Sequence, residues 1–142
     1  MCIKNLLFLL VVVLFLSACH DDNGAELLEF YKSQPRDPEL IGWWVRYDEL
    51  NKEHRYNIYE SDGRFLTYEI KDSGEHYKSW TDDYYYTKDN KIMMFQYMSG
   101  SWKDGPSFEF GPQAYKINGD TLFFYNDDGG MFVYRIRSEP KE

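Results

Sequence analysis

The chain has 142 residues, enough for one domain, and carries 16 Lys plus Arg against 24 Asp plus Glu, a net charge of −8. An acidic chain whose basic residues form no cluster is not a nucleic-acid binder, and it has no electrostatic attraction of its own to an anionic lipid surface. Its two cysteines are Cys2 and Cys19. The remainder therefore has no disulfide, thiolate nucleophile or thiolate metal ligand to draw on.

Residues 1–18 read differently from everything that follows. Lys4 supplies a short positive start, an uncharged apolar run extends from Leu6 to Leu16, and Ser17-Ala18 bring small residues up to Cys19. That order is the layout of a secretory signal peptide. The run is about 11 residues long, short of the roughly 20 that span a bilayer as a helix. Leu16-Ser17-Ala18-Cys19 resembles the lipobox of bacterial lipoproteins, which implies cleavage before Cys19 and lipidation of its thiol with diacylglycerol and palmitate-type chains. A single acyl chain holds a protein only marginally, whereas two or more hold it stably. Lys4 is the one charged residue before Cys19, so cleavage leaves a segment one unit more negative than the whole chain's −8. The membrane partner is thus reached through lipid and not through charge. Asp21 and Asp22 resemble an outer-membrane surface-export signal, and they equally suit the start of a solvated tether. The expected place is the cell envelope, lipid-anchored at the outer membrane, with surface display as one version of it.

Residues 19–38 form the expected tether, which at full extension reaches at most about 70 Å. Within it, Leu27, Leu28, Phe30 and Tyr31 are spaced for one or two turns of amphipathic helix, ended by Pro35 and Pro38. The helix either closes one end of the domain or serves only as tether.

From residue 39 to 138 the pattern is that of strands. Aromatic and branched runs alternate with Ser61-Asp62-Gly63, Lys88-Asp89-Asn90-Lys91, Asn118-Gly119-Asp120 and Asn126-Asp127-Asp128-Gly129-Gly130, which are hairpin signals. The strands expected are 41–48, 54–61, 64–70, 76–80, 83–87, 91–98, 112–117, 121–126 and 131–137, with 139–142 as a C-terminal tail. Eight or nine sequential strands joined by tight turns imply an all-β antiparallel up-and-down barrel, since closure removes the edges. An open sandwich is the other arrangement. Strand alternation groups Leu122 with Phe124, Tyr115 with Ile117, and Phe132 with Tyr134 and Ile136 as the expected core. In the middle strands both faces are apolar. Ile92, Met94, Gln96 and Met98 share one, and Met93, Phe95 and Tyr97 the other.

Gly42-Trp43-Trp44 at the first strand, Tyr56 to Phe65 as strand, Asp-Gly turn and strand, Tyr115 to Leu122, and Phe132 to Ile136 together resemble the small bacterial lipocalin-like domains often found as secreted lipoproteins. The resemblance implies that Trp44, after Gly42, packs across a closed barrel end against an arginine of the last strand. Both Arg135 and Arg137 fit that role. Trp43 departs from the pattern and must face the opposite side.

An eight-stranded barrel is either filled by side chains or holds one small ligand, and 4 Trp, 13 Tyr and 10 Phe serve both outcomes. Tyr56, Tyr68, Tyr85 and Tyr97 are the candidate cavity or rim residues for a small apolar or amphipathic ligand. The alternative is a docking protein for an envelope protein or glycan, using exposed aromatics and the long 98–112 loop with Trp102, Phe108 and Phe110. Catalysis has little to stand on. His20, His54 and His76 have no metal-ligand spacing, there is no Gly-x-Ser-x-Gly elbow, and Asp82-Asp83 and Asp127-Asp128 fall in expected turns. The expectation is a non-catalytic, monomeric binding protein with no metal and no cofactor. Replacing Cys19 with Ala is expected to abolish metabolic labelling by radioactive palmitate, and unchanged labelling would refute the lipid anchor.

Overall fold

In the computed structural model, residues 23–78, 82–97 and 108–140 are described. Among the described residues one helix, α1 (Asn23–Ser33), precedes nine strands: β1 (Gly42–Asp48), β2 (Glu53–Tyr59), β3 (Arg64–Lys71), β4 (His76–Lys78), β5 (Asp82–Lys88), β6 (Lys91–Tyr97), β7 (Phe108–Asn118), β8 (Thr121–Tyr125) and β9 (Met131–Arg137). All pairings are antiparallel. The sheet runs β2-β1-β9-β8-β7-β6-β5-β3-β4 and closes through β2–β3. Eight strands therefore form a barrel, and β4 is an extra strand on the free part of β3. The barrel and not the sandwich is the fold.

The turn chemistry works as the sequence suggests. Asp89 and Asn90 both adopt positive φ, 53° and 57°, the backbone that a two-residue hairpin of matching twist requires. β7 is four residues longer at its start than the expected 112–117. Gly111-Pro112 reads as a strand breaker, but here it sits in a bulge: Ile92 pairs with Gln113 while Met94 pairs with Phe110. Proline is tolerated where a bulge frees the ladder. The 98–112 loop is correspondingly shorter. Phe110 lies in β7, 49% exposed, and the Phe108 backbone also belongs to β7.

The core is concentrated at one end of the barrel. Leu40, Trp44, Tyr59, Phe65, Tyr85, Ile92, Tyr115, Leu122 and Phe124 form it, with Met94, Ile117 and Val133 packed against them. Leu122, Phe124 and Tyr115 are inside as expected. Phe132, Tyr134 and Ile136 are not: they are 51, 54 and 41% exposed, and Val133, Arg135 and Arg137 alternate inward instead. The register explains the reversal. Leu122 pairs with Arg135, and Phe123 with Tyr134, so the apolar face of β9 joins the outer face of β8. Apolarity alone gave the wrong parity for this strand.

The segment between α1 and β1 plugs the same end. Leu40 is fully buried, the Thr87 N–H donates to Pro35 O (3.1 Å), the Asp37 N–H donates to Thr87 Oγ1 (2.7 Å), and Tyr115 Oη donates to Asp37 Oδ2 (2.7 Å). α1 itself does not close the barrel end. It lies on the outer wall against β5 and β6. Tyr31 is fully buried there, with ring centroids 4.9 Å from Tyr86 and 5.2 Å from Phe95. Its hydroxyl bonds to Met94 O (3.2 Å) and Glu109 Oε1 (3.0 Å). The second apolar face of the middle strands is thus covered by the chain's own helix. Arg36 ends that helix by donating to the carbonyls of Tyr31 and Lys32, each at 3.0 Å, where the helix leaves acceptors unsatisfied. The chain from Asn23 onward is part of the folded body, so residues 23–38 are not a free tether.

Burial raises the pKa of five tyrosines, Tyr56 among them. Tyr59 is pushed up to about 12. Tyr31, Tyr85 and Tyr115 are also raised, chiefly by burial, with the Glu109 and Asp37 carboxylates adding to the effect at Tyr31 and Tyr115. An unfolded phenol ionises near 10, before the folded one does. The stability these groups contribute is therefore complete below pH 10 and is lost as pH rises toward 12 and beyond. Phenolate absorbance at increasing pH is expected to show one group of tyrosines ionising early and a second appearing only with cooperative unfolding.

Candidate functional site

The closed end is locked around Trp44. Its Nε1–H donates to Leu40 O (2.7 Å), and the Arg137 guanidinium stacks on its ring, 4.2 Å from the centroid. Arg137 also donates to Ile41 O (2.9 Å) and to Glu39 O. Arg137, and not Arg135, is thus the partner of Trp44, because the β1–β9 register sets Trp44 opposite Arg137. Gly42 is required by the same contact. Its φ is +130°, and a Cβ there would stand 3.0 Å from Arg137 Nη1. Trp43 faces outward, edge-on to Tyr56 and Tyr68, with centroids at 5.8 and 6.1 Å.

That outward cluster corrects most of the tyrosine candidates. Val45 pairs with Tyr56, and Tyr56 with Tyr68, so both tyrosines share the outer face with Trp43. Tyr97 lies on the outer face of β6, its ring 6.2 Å from Phe95. Only Tyr85 points into the barrel, where its hydroxyl donates to Glu60 O (3.0 Å) as part of the packed core. Trp102, Cys19 and the apolar segment before it lie outside the described residues, as does the Phe108 side chain. His54 and His76 are exposed strand residues.

What sequence reasoning missed is the opposite end of the interior. The inward face of β1 continues from Trp44 to Arg46 and Asp48, that of β2 from Tyr59 back through Asn57 and Arg55 to Glu53, that of β3 from Phe65 to Thr67 and Glu69, and that of β9 back from Arg137 to Arg135. The apolar floor is thus followed by a charged upper interior. Alternation along β1 and β2 could have given this pattern, had Trp44 been used to set the parity.

Within this upper interior Arg55 is paired with three carboxylates. It meets Glu53 Oε1 at 2.5 Å, Asp48 Oδ2 at 3.4 Å and Glu69 Oε1 at 3.5 Å. Glu53 is only 3% exposed, and its hydrogen bond is the main reason the Arg55 pKa is raised. Hydrogen bonds from Asn51 and Leu50 are what chiefly hold Asp48 below the usual carboxylate range.

Arg46 and Arg135 are different. Arg135 donates Nη1–H to Arg55 O (2.8 Å), and neither arginine forms an ion pair with a carboxylate among the described residues. The Nε of each is buried without a hydrogen-bond partner. Burial pushes the Arg135 pKa down to about 10, with the Arg46 and Arg55 charges adding to the effect and Tyr59 opposing it. Arg135 stays charged at neutral pH. Its deprotonation above pH 10 relieves part of the burial cost, a trend opposite to that of the buried phenols. The β1–β9 ladder holds only Trp44↔Arg137 and Val45↔Ile136. The next rung would set Arg46 opposite Arg135, and the seam ends there. Like charges directly opposite each other are destabilising.

At the same end of the barrel an open cleft lies between the β7 bulge and the β8–β9 turn, lined by Gly111, Pro112, Gln113, Tyr125, Asp127 and Asp128. Among the described residues no group of three or more His, Cys, Asp or Glu is placed to hold a metal ion.

Compared with known proteins, the chain matches no family model, no curated protein and no solved structure. The fold and the site therefore rest on the chain's own geometry, that of a closed eight-stranded antiparallel barrel with a plugged apolar end and a charged end.

Gly42→Ala is expected to cost about 1–3 kcal/mol through strained backbone and displaced Arg137, and Arg137→Lys about 1–2 kcal/mol through loss of the stacked planar fork. Because both break one contact, the double variant is expected to lose less than the sum in urea unfolding.

Proposed function

We propose that this protein is a bacterial envelope lipoprotein of the lipocalin-like kind, anchored by lipid on Cys19, whose barrel takes a small amphipathic ligand through its charged end. The observation that carries the reading is the division of the interior: one end is sealed by Leu40, Trp44 and the 35–40 segment, and the other is lined by Arg46, Arg55, Arg135, Asp48, Glu53 and Glu69. A barrel that needed only to be filled would gain most from apolar side chains throughout, since buried charge costs free energy unless it is well paired. A ligand with one apolar and one polar part matches that division better than the purely apolar ligand.

The anchor adds to this reading. Helix α1 begins at Asn23, four positions after Cys19. That span reaches about 15 Å, where a 20-residue tether would reach about 70 Å. The barrel is held close to the bilayer surface, within reach of ligands that leave or enter it.

The outer wall supports a second reading, docking to another envelope component. Met131, Phe132, Tyr134 and Ile136 are all exposed on β9, beside Trp43. Exposed apolar strips of this kind commonly mark interaction sites.

Native mass spectrometry of residues 23–142 purified from the producing cell distinguishes the two. A stoichiometric small molecule that is lost on denaturation is the expected result. A bare barrel that acquires no mass on incubation with an extract of envelope lipids would overturn the ligand reading and leave the outer wall as the working surface.

A further inference from the structure

The geometry points to an oxyanion site in the charged end of the barrel, where Arg46 and Arg135 together hold a carboxylate or phosphate group of the bound molecule. The inference rests on the reading that the barrel takes a ligand through this end, and it names the chemistry of that ligand's polar part.

Three arginines stand on one level of the interior, across adjacent strands. Arg55 of β2 pairs directly with Arg46 of β1, and Arg135 of β9 follows on the other side of Arg46. Glu69 faces Arg55 from β3, and Asp48 and Glu53 form the next rung. All three of these carboxylates engage Arg55. The two remaining guanidinium groups have none, although the chain has 24 acidic residues against 16 basic ones. The lack is one of placement and not of supply.

The buried Nε–H of each arginine lacks a partner, and a donor taken from water without a replacement is costly. Arg135 uses one Nη1 donor on a backbone carbonyl, and the Arg46 side chain makes no hydrogen bond among the described residues. Each arginine carries five donors in a fixed fork. Arg46 and Arg135 stand one position past the last β1–β9 rung, Val45↔Ile136, on neighbouring strands and on the same inward face, so two long forks can reach toward a single oxyanion. Such an anion relieves two penalties at once, the unsatisfied donors and the repulsion between like charges. A neutral acceptor satisfies donors but leaves the repulsion, and a cationic group relieves neither. Directly below lie Trp44 and Tyr59, an aromatic floor for the apolar part of the same molecule. A carboxylate on a short hydrocarbon and a phosphate ester share this chemistry, and the choice between them is left to the probes.

The full chain in a neutral maltoside detergent can be titrated at constant ionic strength with hexanoate, hexanol and inorganic phosphate, with melting followed by tryptophan fluorescence. Hexanoate or phosphate is expected to raise the melting temperature saturably, with hexanol at least tenfold weaker than the better anion. Arg46→Gln and Arg135→Gln are each expected to weaken anion binding on the order of tenfold, the effect of losing one charge-assisted donor pair, while Arg46→Lys keeps part of it. Without anion, Arg46→Gln is expected to melt no lower than the native chain, because it removes repulsion. Should Arg135→Gln fail to fold, Arg46→Gln decides alone. Equal binding of hexanol and hexanoate, unaffected by Arg46→Gln, would overturn the oxyanion site and leave the ligand reading standing. An Arg46→Gln protein that melts lower and keeps its anion response would make Arg46 a structural residue. No response to either anion would also overturn the site, and the ligand reading would then rest on the co-purified molecule alone.

Discussion

The barrel depends on how its last strand meets its first. Only two rungs join β1 to β9, Trp44↔Arg137 and Val45↔Ile136. Side-chain contacts reinforce so short a ladder. Arg137 supplies them by stacking on Trp44 and bonding the carbonyls before β1. One further backbone bond crosses the seam, from the Ser138 N–H to Trp43 O at 3.1 Å. Gly42 makes room for the guanidinium, and Leu40 accepts from the indole. One cation, one indole and one glycine thus convert an open meander into a closed barrel.

The ring has a second short seam, between β3 and β5, where only Arg64↔Tyr84 and Phe65↔Asp83 are paired. It is held in a similar manner by contacts at the plugged end: the Tyr85 N–H donates to Gly63 O at 2.8 Å, and the Tyr85 hydroxyl donates to Glu60 O. Beyond Leu66 the free part of β3 turns to β4. Both seams are therefore tight at the floor and end toward the other end. This asymmetry sets where the interior is apolar and dry and where its strands part around charged side chains.

α1 solves a different problem. β5 and β6 are apolar on both faces, and a sheet with an uncovered apolar face invites association. Tyr31, wedged between Tyr86 and Phe95, covers that face with the chain's own residues. The outer face of β9 has no such cover among the described residues, which is why the aromatic strip there stands apart from the rest of the wall.

Much of this was legible in the sequence. Turn chemistry at Asp89-Asn90 and Asn118-Gly119, aromatic strand runs and the Gly42-Trp44 spacing are local signals, and local backbone preference is what single sequences encode. Tertiary structure alone decided the rest. Phe132, Tyr134 and Ile136 are apolar yet outside, and Arg135 and Arg137 are charged yet inside, because register with Leu122 and Trp44 fixes the parity of β9 whatever its composition. Tyr56, Tyr68 and Tyr97 left the list of interior candidates for the same reason. The convergence of Arg46 and Arg135 joins residues 89 positions apart, and no spacing rule along one strand records which side chains a closing sheet will set face to face.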